Sequence, residues 1–120
     1  GLRLVGRTAV VLGYGEIGRR VGRVLEAFDM EVHGLCRADG VEALDARLPR
    51  ADALVICVPS TEVTRGLLDA RRLGLLPEGA VVVNVARGDV IDEDALYEAL
   101  ASGRLGGAGL DVWTRYPRTA

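Results

Sequence analysis

The chain has 120 residues, enough for one domain, and 49% of them are hydrophobic, enough to bury a core. A formal net charge of −2 with no basic cluster argues against a nucleic-acid footprint. No apolar run approaches the roughly 20 residues that cross a bilayer, and the first residues lack the apolar core of a signal peptide, so a cytoplasmic, membrane-free protein is expected. The chain opens on Gly1 rather than Met, which reads as a piece cut from a longer protein.

Strand and helix patterns alternate throughout, with no linker and no low-complexity stretch. A first strand is predicted at Thr8–Leu12. A helix is predicted over residues 16–28, with Ile17, Val21, Val24, Leu25 and Phe28 on one face. Arg19, Arg20 and Arg23 fall on its solvated face, and Gly22 continues a close-packing surface begun by Gly18. A second strand is expected at Glu31–Leu35. Asp39 is placed to cap a short helix, with Glu42 at the capping-box position, Val41, Leu44 and Leu48 facing inward and Pro49 closing it. The continuous apolar run at residues 53–58 predicts a third strand, buried on both faces. Short helical turns are expected around residues 63–68 and 70–75. The Pro77-Glu78-Gly79 turn leads to a fourth strand at residues 80–85. Asp92 caps a helix over residues 93–102, Gly103 ends it, and a fifth strand follows at residues 108–112. These elements predict one three-layer α/β domain: a doubly wound parallel sheet of about five strands with right-handed crossovers. The expected order is 3-2-1-4-5, with ligands at the C-terminal strand ends where strands one and four diverge.

The segment Leu12-Gly13-Tyr14-Gly15-Glu16-Ile17-Gly18 joins the first strand to the first helix. Strand, G-x-G-x-x-G, then helix is the dinucleotide-binding (Rossmann) arrangement. Gly13 allows the tight turn, Gly15 removes the Cβ that would block a pyrophosphate, and Gly18 lets the helix pack closely on the strand. The helix N-terminus then offers free N–H groups and partial positive charge to the phosphates. Other strand ends converge on the same edge: Cys36 and Arg37, Val58 and Pro59, Val85, Ala86 and Arg87, and Asp111.

The end of strand two decides between cofactors. An Asp or Glu there binds the adenosine ribose hydroxyls; here the residues are Leu35-Cys36-Arg37. With no carboxylate and a cation adjacent, a 2′-phosphate gains a charge-assisted partner, which favours NADP(H) slightly. Asp39, two residues on, is also within reach of the ribose, so NAD(H) stays open, as does a surface arginine that stacks on adenine without choosing. Arg87, in Asn84-Val85-Ala86-Arg87-Gly88, is placed to grip a carboxylate and polarise a neighbouring carbonyl. Spacing alone leaves equally open a structural salt bridge to Asp89 or Asp92. Cys36 and Cys57 end strands and read as reduced core thiols, a disulfide between neighbouring strands being the lesser alternative. His33, the one histidine, reads as a packed or half-exposed strand residue, and no Cys/His spacing suggests a metal.

The chain from about Leu4 to Val112 resembles the cofactor domain of the D-isomer-specific 2-hydroxyacid dehydrogenases. The resemblance is carried by residues 11–18, by Pro59-Ser60-Thr61-Glu62-Val63-Thr64-Arg65-Gly66, by residues 83–88, by Ile91-Asp92-Glu93-Asp94-Ala95-Leu96 and by Gly109-Leu110-Asp111-Val112-Trp113, in that order. It implies hydride transfer between a nicotinamide and a small 2-keto or 2-hydroxy acid, and a homodimer in the intact protein. By the same resemblance Gly13, Gly15, Glu16, Ile17 and Gly18 form the pyrophosphate loop, and Cys36 and Arg37 the ribose-discriminating position. Pro59 and Thr64 flank the adenosine, Arg87 holds the substrate carboxylate, and Asp111 bonds the nicotinamide carboxamide. The family's catalytic glutamate position falls on Tyr116, and its acid/base histidine lies past Ala120. The expectation is therefore a fragment that binds cofactor without turnover. A dinucleotide-sensing regulator on the same scaffold, similar to the family's corepressor relatives, is the alternative. Another Rossmann enzyme, such as an amino-acid dehydrogenase, fits residues 85–88 and 110–112 less well.

Overall fold

A computed structural model describes residues 4–59, 61–86 and 88–110. Five strands form one all-parallel sheet: β1 Thr8–Leu12, β2 Glu31–Leu35, β3 Ala53–Ile56, β4 Val81–Asn84 and β5 Gly107–Leu110. Four helices connect them: α1 Glu16–Ala27, α2 Gly40–Arg47, α3 Ala70–Leu73 and α4 Glu93–Ala101. Element types follow the sequence, with most ends one or two residues shorter than expected. Residues 62–66 form hydrogen-bonded turns, as expected, and Leu68 then bridges Ile91 in parallel. The last expected strand residues, 111 and 112, lie outside the described residues.

The doubly wound class is as expected, but the strand order is 2-1-3-4-5. The expected order, 3-2-1-4-5, put β3 at the sheet edge beyond β2. Instead β3 pairs with β1 on the side away from β2, Val11 aligning with both Gly34 and Val55. The composition of β3 explains its place. Leu54, Val55 and Ile56 are all buried, and a strand apolar on both faces needs neighbours on both sides, not an exposed edge. The winding reverses at β1 in either order. Here the crevice opens between β1 and β3 rather than between strands one and four.

With right-handed crossovers, α1 covers one face and α2, α3 and α4 the other. The face beneath α2, α3 and α4 is the main core: Val10, Leu12, Leu54, Ile56 and Val82 pack with Leu44 of α2, Leu73 of α3 and Leu96 of α4. On the opposite face α1 comes close through small residues. A Cβ on Gly18 would collide with the Gly13 carbonyl and sit 3.4 Å from Val11. Gly22 and Gly34 make room for the Tyr14 ring, wedged between α1 and β2, and Arg19 lies 5.0 Å from that ring's centroid. The apolar face of α1 is only partly covered: Ile17, Val24 and Phe28 are exposed, Val21 and Leu25 half-buried.

The two caps that the sequence predicts differ in the structure. Asp92 caps α4 as expected, its Oδ1 accepting from the Ala95 N–H at 3.1 Å. Asp39 does not cap α2 as expected. It has helical backbone angles inside a 3₁₀ turn, Arg37–Asp39, and its carboxylate reaches back to the Cys36 N–H at 2.6 Å. The capping box is therefore Cys36 with Asp39, not Asp39 with Glu42, because the turn begins three residues early.

Candidate functional site

The crevice is built where β1 turns into α1. Gly13 sits at φ +92°, and a Cβ there would lie 2.7 Å from the Val58 nitrogen and 2.8 Å from the Cys57 carbonyl carbon. Glycine is required on both counts: the turn is left-handed and the next strand end lies against it. Gly15 differs, since a Cβ there meets nothing within 4 Å. Its space faces the crevice, where a ligand's phosphates would approach the backbone. No side chain caps α1 at Gly15, so no side chain claims the first-turn N–H groups. Glu16, the acid nearest that terminus, is held by Arg20 at 3.0 Å.

Two adjoining hollows line this edge. A groove of about 530 Å³ runs along the glycine turn and is bordered by Gly13, Tyr14, Gly15, Glu16, Ile17, Gly18, Cys36, Arg37, Cys57, Val58 and Pro59. Beside it lies a more enclosed apolar cavity of about 290 Å³. Leu12, Leu35, Val41, Leu44, Val58, Val63 and Leu67 form its walls, with Cys36, Arg37, Pro59, Thr61 and Thr64 at its rim. A groove along a glycine turn at a helix N-terminus whose N–H groups no side chain caps, joined to an apolar slot, matches a pyrophosphate joined to adenosine. The residues present thus fit a dinucleotide.

Of the residues singled out in the sequence, Gly13, Gly15, Glu16, Ile17, Gly18, Cys36, Arg37, Val58, Pro59 and Thr64 line these two hollows. Thr64 earns its place by holding the rim. Its hydroxyl donates to the Pro59 carbonyl at 2.8 Å and accepts from the Thr61 N–H at 2.8 Å. Val85 and Ala86 follow β4 and line neither hollow. There the buried Asn84 turns the chain, its Oδ1 accepting from the Ala86 N–H at 2.9 Å. Arg87, Asp111 and Tyr116 lie outside the described residues. The segment after Arg87 is tied to the cavity rim: Gly66 N–H donates to the Asp89 carbonyl at 2.7 Å, Leu68 N–H to Val90 at 3.0 Å, and Arg65 pairs with Asp89 at 3.6 Å.

The cysteines differ from the expected core pair. Cys36 is exposed and Cys57 half-buried. They are not on neighbouring strands, because β1 runs between β2 and β3 and keeps them about two strand spacings, roughly 10 Å, apart. That exceeds disulfide reach. Burial pushes the Cys57 thiol up, so it stays protonated at neutral pH. His33, 3.5 Å from Glu31, is the half-exposed strand residue expected.

Tyr14 and Asn84 went unremarked in the sequence. The signal for Tyr14 was Gly34 in the middle of a strand, where a glycine marks a close approach. For Asn84 it was a polar residue closing an apolar strand. Among the described residues no helix is long and apolar enough to cross a membrane, and no three His, Cys, Asp or Glu side chains group as metal ligands.

The family model described as the D-isomer specific 2-hydroxyacid dehydrogenase, NAD binding domain, matches residues 1–120. A D-3-phosphoglycerate dehydrogenase of Methanocaldococcus jannaschii is 38% identical, over 98% of this chain and 24% of its own length. A D-isomer specific 2-hydroxyacid dehydrogenase from Xanthobacter autotrophicus Py2, solved with NADPH and MES, superposes with a TM-score of 0.88 at 39% identity; 95% of this chain and 39% of that one are covered. The NAD-dependent formate dehydrogenase of Staphylococcus aureus, solved with NAD, gives a TM-score of 0.89 at 30% identity, over 98% and 38%. The chain spans about a quarter to two-fifths of the length of the curated relatives it matches.

Proposed function

Because the chain belongs to the D-isomer-specific 2-hydroxyacid dehydrogenases, as their NAD(P)-binding domain, we propose that it holds the nicotinamide cofactor for hydride exchange with a 2-keto or 2-hydroxy acid. It is read as one domain, residues 1–120, of a larger two-domain cytoplasmic enzyme that works as a homodimer. The observation that carries this reading is the glycine turn: Gly13 leaves no room beside the Val58 nitrogen, whereas Gly15 faces open space.

When bound, the nicotinamide supplies or accepts the hydride. The residues of this chain do the holding. Gly13, Gly15, Glu16, Ile17 and Gly18 present backbone N–H groups to the pyrophosphate. The apolar cavity takes the adenine, with Val58, Pro59 and Thr64 at its side. Arg37 and the Cys36 backbone meet the ribose, and the guanidinium favours NADP(H) slightly over NAD(H). Val85 and Ala86 set the start of the segment bearing Arg87, which grips the substrate carboxylate in bidentate fashion and polarises the keto oxygen. Asp111 bonds the carboxamide and fixes the exposed nicotinamide face.

Calorimetric titration of the chain with NADPH and NADH, repeated on Arg37→Ala, tests the reading. Both cofactors should bind, NADPH slightly tighter, with that margin lost in the variant. The chain alone should reduce no keto acid. Failure to bind either nucleotide contradicts the reading, and turnover by these 120 residues contradicts its fragment character.

A further inference from the structure

We propose that Asp39 acts as a built-in counterweight to Arg37, holding the discrimination between NADPH and NADH to a small margin. This rests on the cofactor-domain reading above. The ribose-reading acid of a dinucleotide fold stands at the end of β2, where this chain has Cys36. A carboxylate nonetheless lies against the Cys36 backbone. Asp39 comes from three residues downstream and its Oδ2 accepts from the Cys36 N–H at 2.6 Å. Its own N–H is bound in return to the Cys36 carbonyl at 3.0 Å. The reciprocal pair fixes the carboxylate against the backbone of Cys36, which with Arg37 borders both the cavity and the groove.

Two consequences follow from chemistry alone. First, a 2′-phosphate that approaches the Cys36 N–H has to share or displace the carboxylate already seated on it. Second, a fixed negative charge beside the 2′ position repels the phosphate of NADPH and accepts a hydrogen bond from the 2′-hydroxyl of NADH. Arg37 acts in the opposite sense. One cation and one anion on a single turn therefore offset each other at the 2′ position. Asp39 is a specificity-determining residue, and its charge does the work rather than its cap.

Asp39→Asn separates the two, because the amide oxygen still accepts from the Cys36 N–H while the charge is gone. In calorimetric titrations of the chain at low salt, Asp39→Asn should raise the NADPH-to-NADH affinity ratio about tenfold, and Arg37→Ala should lower it by a similar factor. The double variant should return near the wild-type ratio. Thermal unfolding of Asp39→Asn close to that of the wild type confirms that the cap survives, and Asp39→Glu, which keeps the charge, should leave the ratio within about twofold. A ratio unchanged in Asp39→Asn while both nucleotides still bind overturns the counterweight and leaves the cofactor reading standing. Absence of binding by the wild-type chain overturns both.

Discussion

The two faces of the sheet are made from different materials. Beneath α2, α3 and α4 the sheet presents Val10, Leu12, Leu54, Ile56 and Val82, and the helices answer with Leu44, Leu73 and Leu96, all buried. Beneath α1 it presents Ala9, Val11, Gly34, Ala53 and Val55, and the helix answers with Gly18 and Gly22. The first face is bulky and closed. The second is small and close-fitting, and it leaves Ile17, Val24 and Phe28 exposed. Stability resides mainly on the first face, because apolar area removed from water scales with side-chain size. The second face serves geometry: only small residues let α1 start close enough to β1 for its first turn to face the crevice.

Substitutions on each side sharpen that contrast. Leu54→Ala, at 0% exposure in the middle of the closed face, should cost about 3 kcal/mol in urea unfolding, the lost transfer energy plus a cavity. Gly18→Ala should cost about 2 kcal/mol, since the added methyl meets a backbone carbonyl rather than a flexible side chain. It should weaken cofactor binding more than Leu54→Ala does, and the reverse ranking in titration breaks the division of labour. Arg72→Ala should cost about 1 kcal/mol. Arg72 clamps α3 to α2 through Asp45 at 2.8 Å and also donates to the Leu67 carbonyl at 3.1 Å.

Asp45 gives that clamp a pH signature. Burial pushes its carboxyl up, but hydrogen bonds from Arg72 and Arg71 and their charges outweigh burial and hold it below its ordinary value of 3.8. A lowered folded value stabilises the protein above about pH 5, and that contribution fades as the pH falls below about 4. Asp45→Asn should therefore narrow the stability difference between pH 7 and pH 3, read from unfolding midpoints. The smallest effect belongs to α1's outer flank. Phe28→Ser, at 55% exposure, should change stability by less than about 0.5 kcal/mol.

How much of this was legible in the sequence differs between regions for physical reasons. The glycine turn was legible because each glycine answers a local demand: the turn demands Gly13 and the close packing of α1 demands Gly18, while Gly15 faces open space. Helix and strand identities followed from periodicity and from caps such as Asp92. The place of β3 was not read correctly, although the unbroken Leu54-Val55-Ile56 run carried the signal. Strand order is a long-range property, and the strand's need for two neighbours had to be weighed against the habitual winding. The true role of Asp39 was hidden because a 3₁₀ turn ahead of α2 moved the cap by three residues, a shift that propensity does not register. How far α1 is covered was not legible, because an apolar stripe says which residues share a face, not whether anything covers it.

Amide NMR of the labelled chain, titrated with NADPH, tests the central claim most directly. Shifts concentrated at Gly13, Gly15, Gly18, Arg37, Val58 and Thr64, with Val24 and Phe28 unmoved, are the predicted result. Shifts confined to the outer flank of α1, or none at millimolar nucleotide, would contradict the assignment of the β1–β3 crevice as the cofactor site.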